Sequence, residues 1–384
     1  MDFTLNAEQL DLRNSVLQFA RSALTEDMVA RDQRAEFSRE LWRRCADFGI
    51  QGLPLPEEFG GSNRDALSTM LAMEALGYAC PDQGLLFSIH AHMWAVQLPI
   101  LRFGTDEQKR SHLPKLCDGS WIAAHAMSEP GSGTDAFSLH ARAERRGDHY
   151  VLNGSKTFVT NAPEADLFLV FATVNRSRGM WGVTGFLVER DTKGMSIGSP
   201  MSKLGLRTSP MAEVFLEDCE VPATARLGKE GQGSGIFNHS MAWERSCILA
   251  TSVGAMERQL EASIEYVKAR KQFDRSVGSF QLVASKIADM KIRLETSRLL
   301  LYRAASSQVD GSMSALDAAI AKLYISESAV QSGLDALQVH GGYGYMTEYQ
   351  VERGLRDALG GRLYSGTSEI QRLIIARNLG LPCD

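Results

Sequence analysis

The chain is 384 residues and 42.2 kDa, with 44% hydrophobic and 23% charged residues, which excludes a disordered or fibrous protein and leaves room for two or three domains. A formal net charge of −5 and a pI near 6.0 argue against nucleic acid as the main partner. No run approaches the roughly 18 apolar residues of a membrane span, and the acidic start Met1-Asp2-Phe3-Thr4 is unlike a signal peptide.

The first part, residues 1–120, reads as helices. Asn6 with Gln9 has the form of a capping box, and a helical stretch follows to about Ala30. Ser38 opens a short helix with Leu41, Cys45 and Phe48 on one face, closed by Gly49. Two apolar segments, about 64–79 and 83–103, follow. From Trp121 to about Gly233 the runs are short and broken by Gly, Asn and Pro. Strands are predicted at Tyr150–Leu152, Thr157–Thr160, Asp166–Val174, Gly182–Glu189 and Glu213–Phe215. Asn153-Gly154 is a hairpin signal between the first two. Over residues 234–384 the helical period returns in long segments. Met256, Leu260, Ile264 and Val267 form one stripe. Phe280, Val283, Ile287, Met290, Leu294 and Leu301 form a second. Leu316, Ile320, Leu323, Val330, Leu334 and Leu337 form a third. Such stripes predict a helical bundle.

Several chemistries lack their residues. Neither His-Glu-x-x-His nor a cysteine cluster offers a metal site. Cys45, Cys80, Cys117, Cys219, Cys247 and Cys383 are scattered and read as reduced, cytoplasmic thiols. There is no Gly-x-Ser-x-Gly elbow and no P-loop. Gly341-Gly342-Tyr343-Gly344 follows a helix rather than a strand, unlike a Rossmann fingerprint. What remains is a set of loops rich in glycine and hydroxyls. In Ser128-Glu129-Pro130-Gly131-Ser132-Gly133-Thr134-Asp135 the glycines let backbone amides approach an anion or a flat ring, or simply make a turn.

Six segments, in one order, resemble the acyl-CoA dehydrogenase family over essentially the whole chain. They are Ala126–Asp135, Gly154–Asn161, Lys203–Thr208 with Val221-Pro222, Arg270-Lys271-Gln272-Phe273, Gln338–Gly344 and Tyr364–Arg372. The resemblance implies an α+β, mainly α fold: an N-terminal helical domain, a middle β-barrel-like domain and a C-terminal four-helix bundle. It implies FAD held between the last two, and loss of an α proton and a β hydride from an acyl thioester. Met127, Ser128, Gly133, Thr134, Phe158 and Thr160 are the implied flavin contacts on one subunit. Phe158 stands where many relatives carry Trp, and Thr160 faces N5. Arg270, Phe273, Gln338 and Gly342 are implied to reach FAD across a subunit boundary, with Thr367 nearby. A homo-oligomer follows, usually a tetramer. Asp274 departs from the pattern, which commonly has Gly after the Phe.

The base is a second departure. Many members carry a glutamate just before the Gly-Thr of the last motif, and here Ser365 stands there. A serine hydroxyl needs its own base to take an α proton. The family's other placement, a glutamate before an arginine on the first bundle helix, matches Trp243-Glu244-Arg245. Glu244 is therefore the candidate base rather than a plain helical partner of Arg245, with burial raising its pKa. Arg245 orients the site or the thioester arm, and Tyr364, Ser365 and Gly366 border the substrate. The Glu369 backbone amide and an FAD ribitol hydroxyl are implied to polarise the thioester carbonyl. A base on the bundle helix occurs in members acting on branched or long acyl-CoA, and in members that oxidise prolyl or other aminoacyl groups on a carrier protein. Trp243-Glu244-Arg245, Gly205–Pro210 and Tyr364-Ser365-Gly366 resemble the last group most. Electrons would pass to an electron-transfer flavoprotein or to oxygen. A degenerate flavoprotein that only binds a partner would carry the same motifs.

Overall fold

The computed structural model describes residues 4–25, 27–308 and 313–382; Met1–Phe3 and Cys383 lie outside them. The Asn6 and Gln9 side chains and amides cap each other and start α1 (Ala7–Ala23). The helix stops short of Ala30. Asp27 instead caps a new helix, α2 (Met28–Arg34), its carboxylate accepting from the Ala30 amide at 3.2 Å, a local bond that competes with helix continuation. Ser38 caps α3 (Arg39–Asp47), whose Leu41 and Cys45 are buried. Phe48, expected on that face, lies beyond the helix end, more exposed, and stacks on Phe19 at 4.2 Å. Then come α4 (Ala66–Ala79), α5 (Gln83–His92), a π turn at Met93–Gln97, α6 (Leu98–Phe103) and α7 (Asp106–Cys117). Contrary to expectation, one continuous stretch, Gln83–Phe103, is long and apolar enough to cross a membrane. Within this fold 94% of its most apolar window is buried, as in a core helix.

The middle domain is one sheet. Its strands are β1 (Ala123–Ala126), β2 (Arg142–Arg146), β3 (His149–Thr160), β4 (Leu167–Thr173), β5 (Val183–Glu189), β6 (Met195–Ile197), β7 (Met211–Pro222) and β8 (Arg226–Leu227). The order is β6-β7-β3-β2-β4-β5-β8, with β1 paired to β4. Asn153-Gly154 is not a hairpin, because β3 runs straight through it and the turn is at Gly147-Asp148. Gly154 is needed for another reason. Its φ is +145°, and a Cβ there would stand 2.6 Å from the Ala141 Cα, at a register shift in the β3–β7 ladder.

The last part contains α8 (Gly233–Cys247), α9 (Ala250–Ala269), the short strands β9 (Lys271–Gln272) and β10 (Arg275–Ser276), α10 (Gln281–Ser306), α11 (Ala315–His340), α12 (Val351–Leu359) and α13 (Ser368–Asn378). Met256, Leu260, Val267, Met290, Leu294 and Leu301 are buried as their stripes predict. The third stripe differs. On α11 the closely packed face is Ala318, Ala321, Lys322, Ile325 and Ala329, while Leu316, Ile320, Leu323 and Leu337 are half-buried and Leu334 is exposed. Small residues let α11 approach α8, α9, α10 and α13 closely, and of the third stripe Val330 alone is buried as expected. The first and last parts are joined through Glu74 of α4, which accepts from Arg298 Nε at 2.7 Å and from the Tyr302 hydroxyl at 2.6 Å.

Candidate active site

Glu244 and Arg245 sit near the C-terminal end of α8, facing the turn between α12 and α13. That turn is strained: Ser365 has φ +54° and Gly366 φ +91°, a conformation that favours glycine and costs a serine of order 1 kcal/mol. A Cβ on Gly366 would meet Gln371 Nε2 at 2.8 Å. Buried donors hold the turn in place. Arg245 Nε donates to the Ser365 carbonyl at 3.0 Å. Lys322 Nζ, fully buried on α11, donates to the Gly366 carbonyl at 2.7 Å. Gln371 Nε2 donates to both carbonyls, at 3.2 and 2.8 Å.

These contacts fix the electrostatics of Glu244. Its side chain is buried, with 8% exposure, and burial pushes its pKa up to about 7. The Arg245 charge, the nearby Ser365 hydroxyl and the Lys322 charge pull in the opposite direction. The hydroxyl's pull is weak in structural terms, since Ser365 Oγ has no partner in ordinary hydrogen-bond geometry among the described residues. Burial, then the Arg245 charge, brings Lys322 down to about 8, against the opposing charges of Glu327, Glu369 and Glu244. Burial, then the Glu244 charge, pushes the Tyr364 hydroxyl up. A carboxylate with a pKa near neutrality, set against an ordered turn, can hold and release a proton at physiological pH.

On the sheet, a second set of expected residues comes together. The Ser128 carbonyl accepts from the Thr157 amide at 2.9 Å, tying the Gly-rich loop to β3. A register shift between Lys156 and Val159 turns Phe158 outward, with φ +54° and 65% exposure. Thr160 ends the same strand. Met127 is buried behind them, and Gly133 and Thr134 are exposed on the loop. A buried ion pair that the sequence reading missed supports the loop. Glu129 accepts from Lys156 Nζ at 2.7 Å and from the amides of His140 and Ala141 at 2.6 and 3.0 Å; Lys156 Nζ also donates to the Met127 carbonyl at 3.1 Å.

A third set gathers at the end of α9 and α11. Arg270 caps α9 and lies over the Tyr343 ring at 5.5 Å. Phe273 is 88% exposed, and Gln338 and Gly342 are exposed. Phe273 and Asp274 have φ of +54° and +60°, so Asp274 adopts the left-handed conformation that Gly would favour, which aspartate tolerates. Among the described residues no hydrogen bond or ring contact joins this set to Phe158 and Thr160 within one protomer. Thr367 caps α13, accepting from the Ile370 amide at 3.4 Å, and the Glu369 amide lies in the first turn, where helical amides lack an intrahelical acceptor.

Three family descriptions match this chain in order: Acyl-CoA dehydrogenase, N-terminal domain, over residues 6–120; middle domain, over 124–219; and C-terminal domain, over 231–380. The chain belongs to the acyl-CoA dehydrogenase family. This family member is similar to the L-prolyl-(peptidyl-carrier protein) dehydrogenase of a Serratia species, with 43% identity over 381 residues and 99% of each chain covered. Among solved structures it is similar to the prolyl acyl carrier protein oxidase AnaB (49% identity, TM-score 0.97, covering 98% of this chain and 100% of that one). It is also similar to PigA with FAD and proline (43% identity, TM-score 0.97, 100% of both).

For this acyl-CoA dehydrogenase family chain, four supporting residues escaped sequence reading: Glu129, Lys156, Lys322 and Gln371. Lys322 carried a signal. It is a fully buried charge standing among the small residues Ala318, Ala321 and Ala329 on the packed face of α11.

Proposed function

We propose that this chain is an FAD-dependent dehydrogenase or oxidase of a thioester-bound prolyl group, carried on the phosphopantetheine arm of a carrier protein. The observation that carries this reading is Glu244, a buried carboxyl with a pKa near 7, facing a turn where Ser365 supplies no base. The likeness to carrier-protein prolyl oxidases supports the substrate class.

The residues present fit FAD. Phe158 offers an exposed ring face beside Thr160. Gly133, Gly341 and Gly342 have open space where a Cβ would stand, so backbone amides are accessible to a pyrophosphate. When bound, FAD supplies the acceptor for a hydride from the substrate's β carbon. The protein's own groups do the rest. Glu244 takes the α proton onto its carboxylate, and a double bond forms as the hydride leaves. The first-turn amide of Glu369 faces the developing oxyanion. Arg245, Lys322 and Gln371 hold the Ser365–Gly366 turn against the thioester, and Tyr364 closes one side.

Arg270, Phe273, Gln338 and Gly342 complete the cofactor site of a neighbouring copy, so the working enzyme is a homo-oligomer, a tetramer in this reading. Exposed apolar residues on α10, Leu282 (83%), Ile292 and Leu299, support such an interface. We place the enzyme in the cytoplasm and assign the second half-reaction to an electron-transfer flavoprotein or to oxygen. The test is anaerobic flavin reduction with matched substrates. Prolyl on a carrier protein should bleach the flavin, while prolyl-CoA and free proline should do so poorly, because carrier surface contacts add binding energy. Efficient bleaching by isovaleryl-CoA instead would assign the enzyme to short or branched acyl-CoA. Bleaching by no thioester would point to a binding protein.

A further inference from the structure

The loop between β4 and β5, residues 175–182, carries Trp181 with 64% exposure beside an exposed Met180. Backbone and polar contacts hold the loop, and those two side chains do not. Asn175 Oδ1 accepts from the Ser177 amide at 3.0 Å and from its hydroxyl at 2.7 Å. The Val174 amide donates to the Gly182 carbonyl at 2.9 Å, and a Cβ on Gly182 would stand 2.1 Å from the Asn175 carbonyl oxygen. A closed neck therefore presents a large aromatic surface outward, which marks an interaction site.

The chain as a whole carries a net charge of −5, yet cations gather around this loop. Arg176 and Arg178 are exposed on it, and exposed Arg142 opens β2 beside Thr173 at its foot. Lys229 is exposed close to Gly231, where a Cβ would stand 2.5 Å from the Trp181 carbonyl oxygen. Arg146, at the other end of β2, is paired with Glu144 at 3.0 Å. Among the described residues neither Arg176 nor Arg178 has a carboxylate partner; Arg176 Nη2 instead meets His140 Nε2 at 3.3 Å. Glu230 is tied inward, accepting from the Tyr150 hydroxyl at 2.8 Å, and Asp135, exposed on the Gly-rich loop, offsets one of these charges. The patch calls for an acidic partner.

Its place on the molecule narrows the partner further. Gly231 packs on Trp181, α8 begins at Gly233, and the helix axis covers about 17 Å from there to Glu244. An extended phosphopantetheine arm spans a comparable length. A carrier seated at Trp181 is thus one arm's reach from the proposed base. Between the two ends, Phe137, which follows the Gly-rich loop, meets Phe237 of α8 with ring centroids 5.6 Å apart.

We propose that Trp181, Arg176 and Arg178 form the docking face for an acidic carrier protein, Trp181 as its apolar anchor and the arginines meeting carboxylates of the carrier. The proposal rests on the reading of the enzyme as one that acts on a carrier-bound thioester. Binding is measured on the FAD-loaded enzyme by surface plasmon resonance, with a prolyl-loaded peptidyl carrier domain of net negative charge as the probe. Kd should rise about tenfold or more in the double variant Arg176→Glu, Arg178→Glu and in Trp181→Ala. Added salt should weaken binding to the unaltered protein more than to the double variant. Prolyl-pantetheine, which has no carrier surface, should reduce the flavin equally well in all three proteins, and equal FAD content checks their folding. The proposal is overturned if the double variant binds the carrier as the unaltered protein does. It is also overturned if affinity for prolyl-CoA falls by the same factor, which would assign the cations to the CoA nucleotide, or if either variant changes oligomeric state, which would assign the patch to a second copy of the chain. If no thioester reduces the flavin while carrier binding keeps the expected pattern, the proposed activity fails and the docking face stands.

Discussion

Arg245 and Ser365 are 120 residues apart in the chain, and the Arg245 Nε donates to the Ser365 carbonyl at 3.0 Å. The residue beside Glu244, the proposed base, thus holds the turn in which many members of the family place theirs. Arg245 also bears on Glu244 by charge, lowering a pKa that burial raises.

Two consequences can be separated by substitution. Arg245→Gln keeps a hydrogen-bond donor and removes the charge, so the pH at which flavin reduction reaches half its maximum should move upward. Arg245→Lys keeps the charge and loses the planar guanidinium geometry, so it should raise KM with little movement of that midpoint. Stopped-flow reduction across pH, with FAD content measured in parallel, distinguishes them. An unmoved midpoint in Arg245→Gln would count against the electrostatic role.

The pH dependence of the unaltered enzyme follows from Glu244 itself. The base must be ionised, so flavin reduction should rise through about pH 7 and level off above it, and Glu244→Gln should lack that limb. Stability runs the other way. Between the ordinary 4.5 and about 7, the folded chain keeps a proton that the unfolded chain releases. This contribution is therefore fully present below pH 4.5 and lost as pH rises through 7. At pH 8 Glu244→Gln should be more stable than the unaltered protein, by up to about 3 kcal/mol. Chemical denaturation at pH 5 and pH 8 checks this, and an equal difference at both pH values would contradict it.

Lys156 and Glu129 support the Gly-rich loop, the proposed flavin contact. Burial pushes Lys156 down to about 8 despite the Glu129 charge and hydrogen bond, yet removing it leaves the carboxylate buried with only two amides. Lys156→Met should cost about 3–5 kcal/mol and weaken FAD retention on gel filtration. The double variant with Glu129→Gln should lose less than the two single losses added together. Strict additivity would show that the pair is not a unit.

Some features of the fold are written in local sequence and others are not. The capping box at Asn6, the Ser38 cap and the stripes on α9 and α10 depend on neighbours within a few residues, and local spacing records them. Asn153-Gly154 misled because the same dipeptide serves a close approach to Ala141 inside a strand, a tertiary cause invisible in the local pattern. On α11 the largest apolar residues did not mark the buried face, because close helix packing selects small ones. Glu244 was reached by resemblance and by the absence of a carboxylate at Ser365. The roles of Lys322 and Gln371 were out of reach for a different reason, although Lys322 stood out as a charge among small residues. Their acceptors are backbone carbonyls of a left-handed turn, and a turn's carbonyl directions leave no trace in residue type.

The central claim is that Glu244, and not the Ser365 position, removes the α proton. Anaerobic single-turnover flavin reduction in Glu244→Gln and Ser365→Ala, both with FAD bound and substrate at saturation, tests it most directly. Glu244→Gln keeps the side-chain shape and removes the proton acceptor, so reduction should slow by about 10²–10⁴-fold, while Ser365→Ala should stay within about tenfold of the unaltered enzyme. Near-normal reduction by Glu244→Gln, together with loss in Ser365→Ala, would contradict the account and place the base on the other segment.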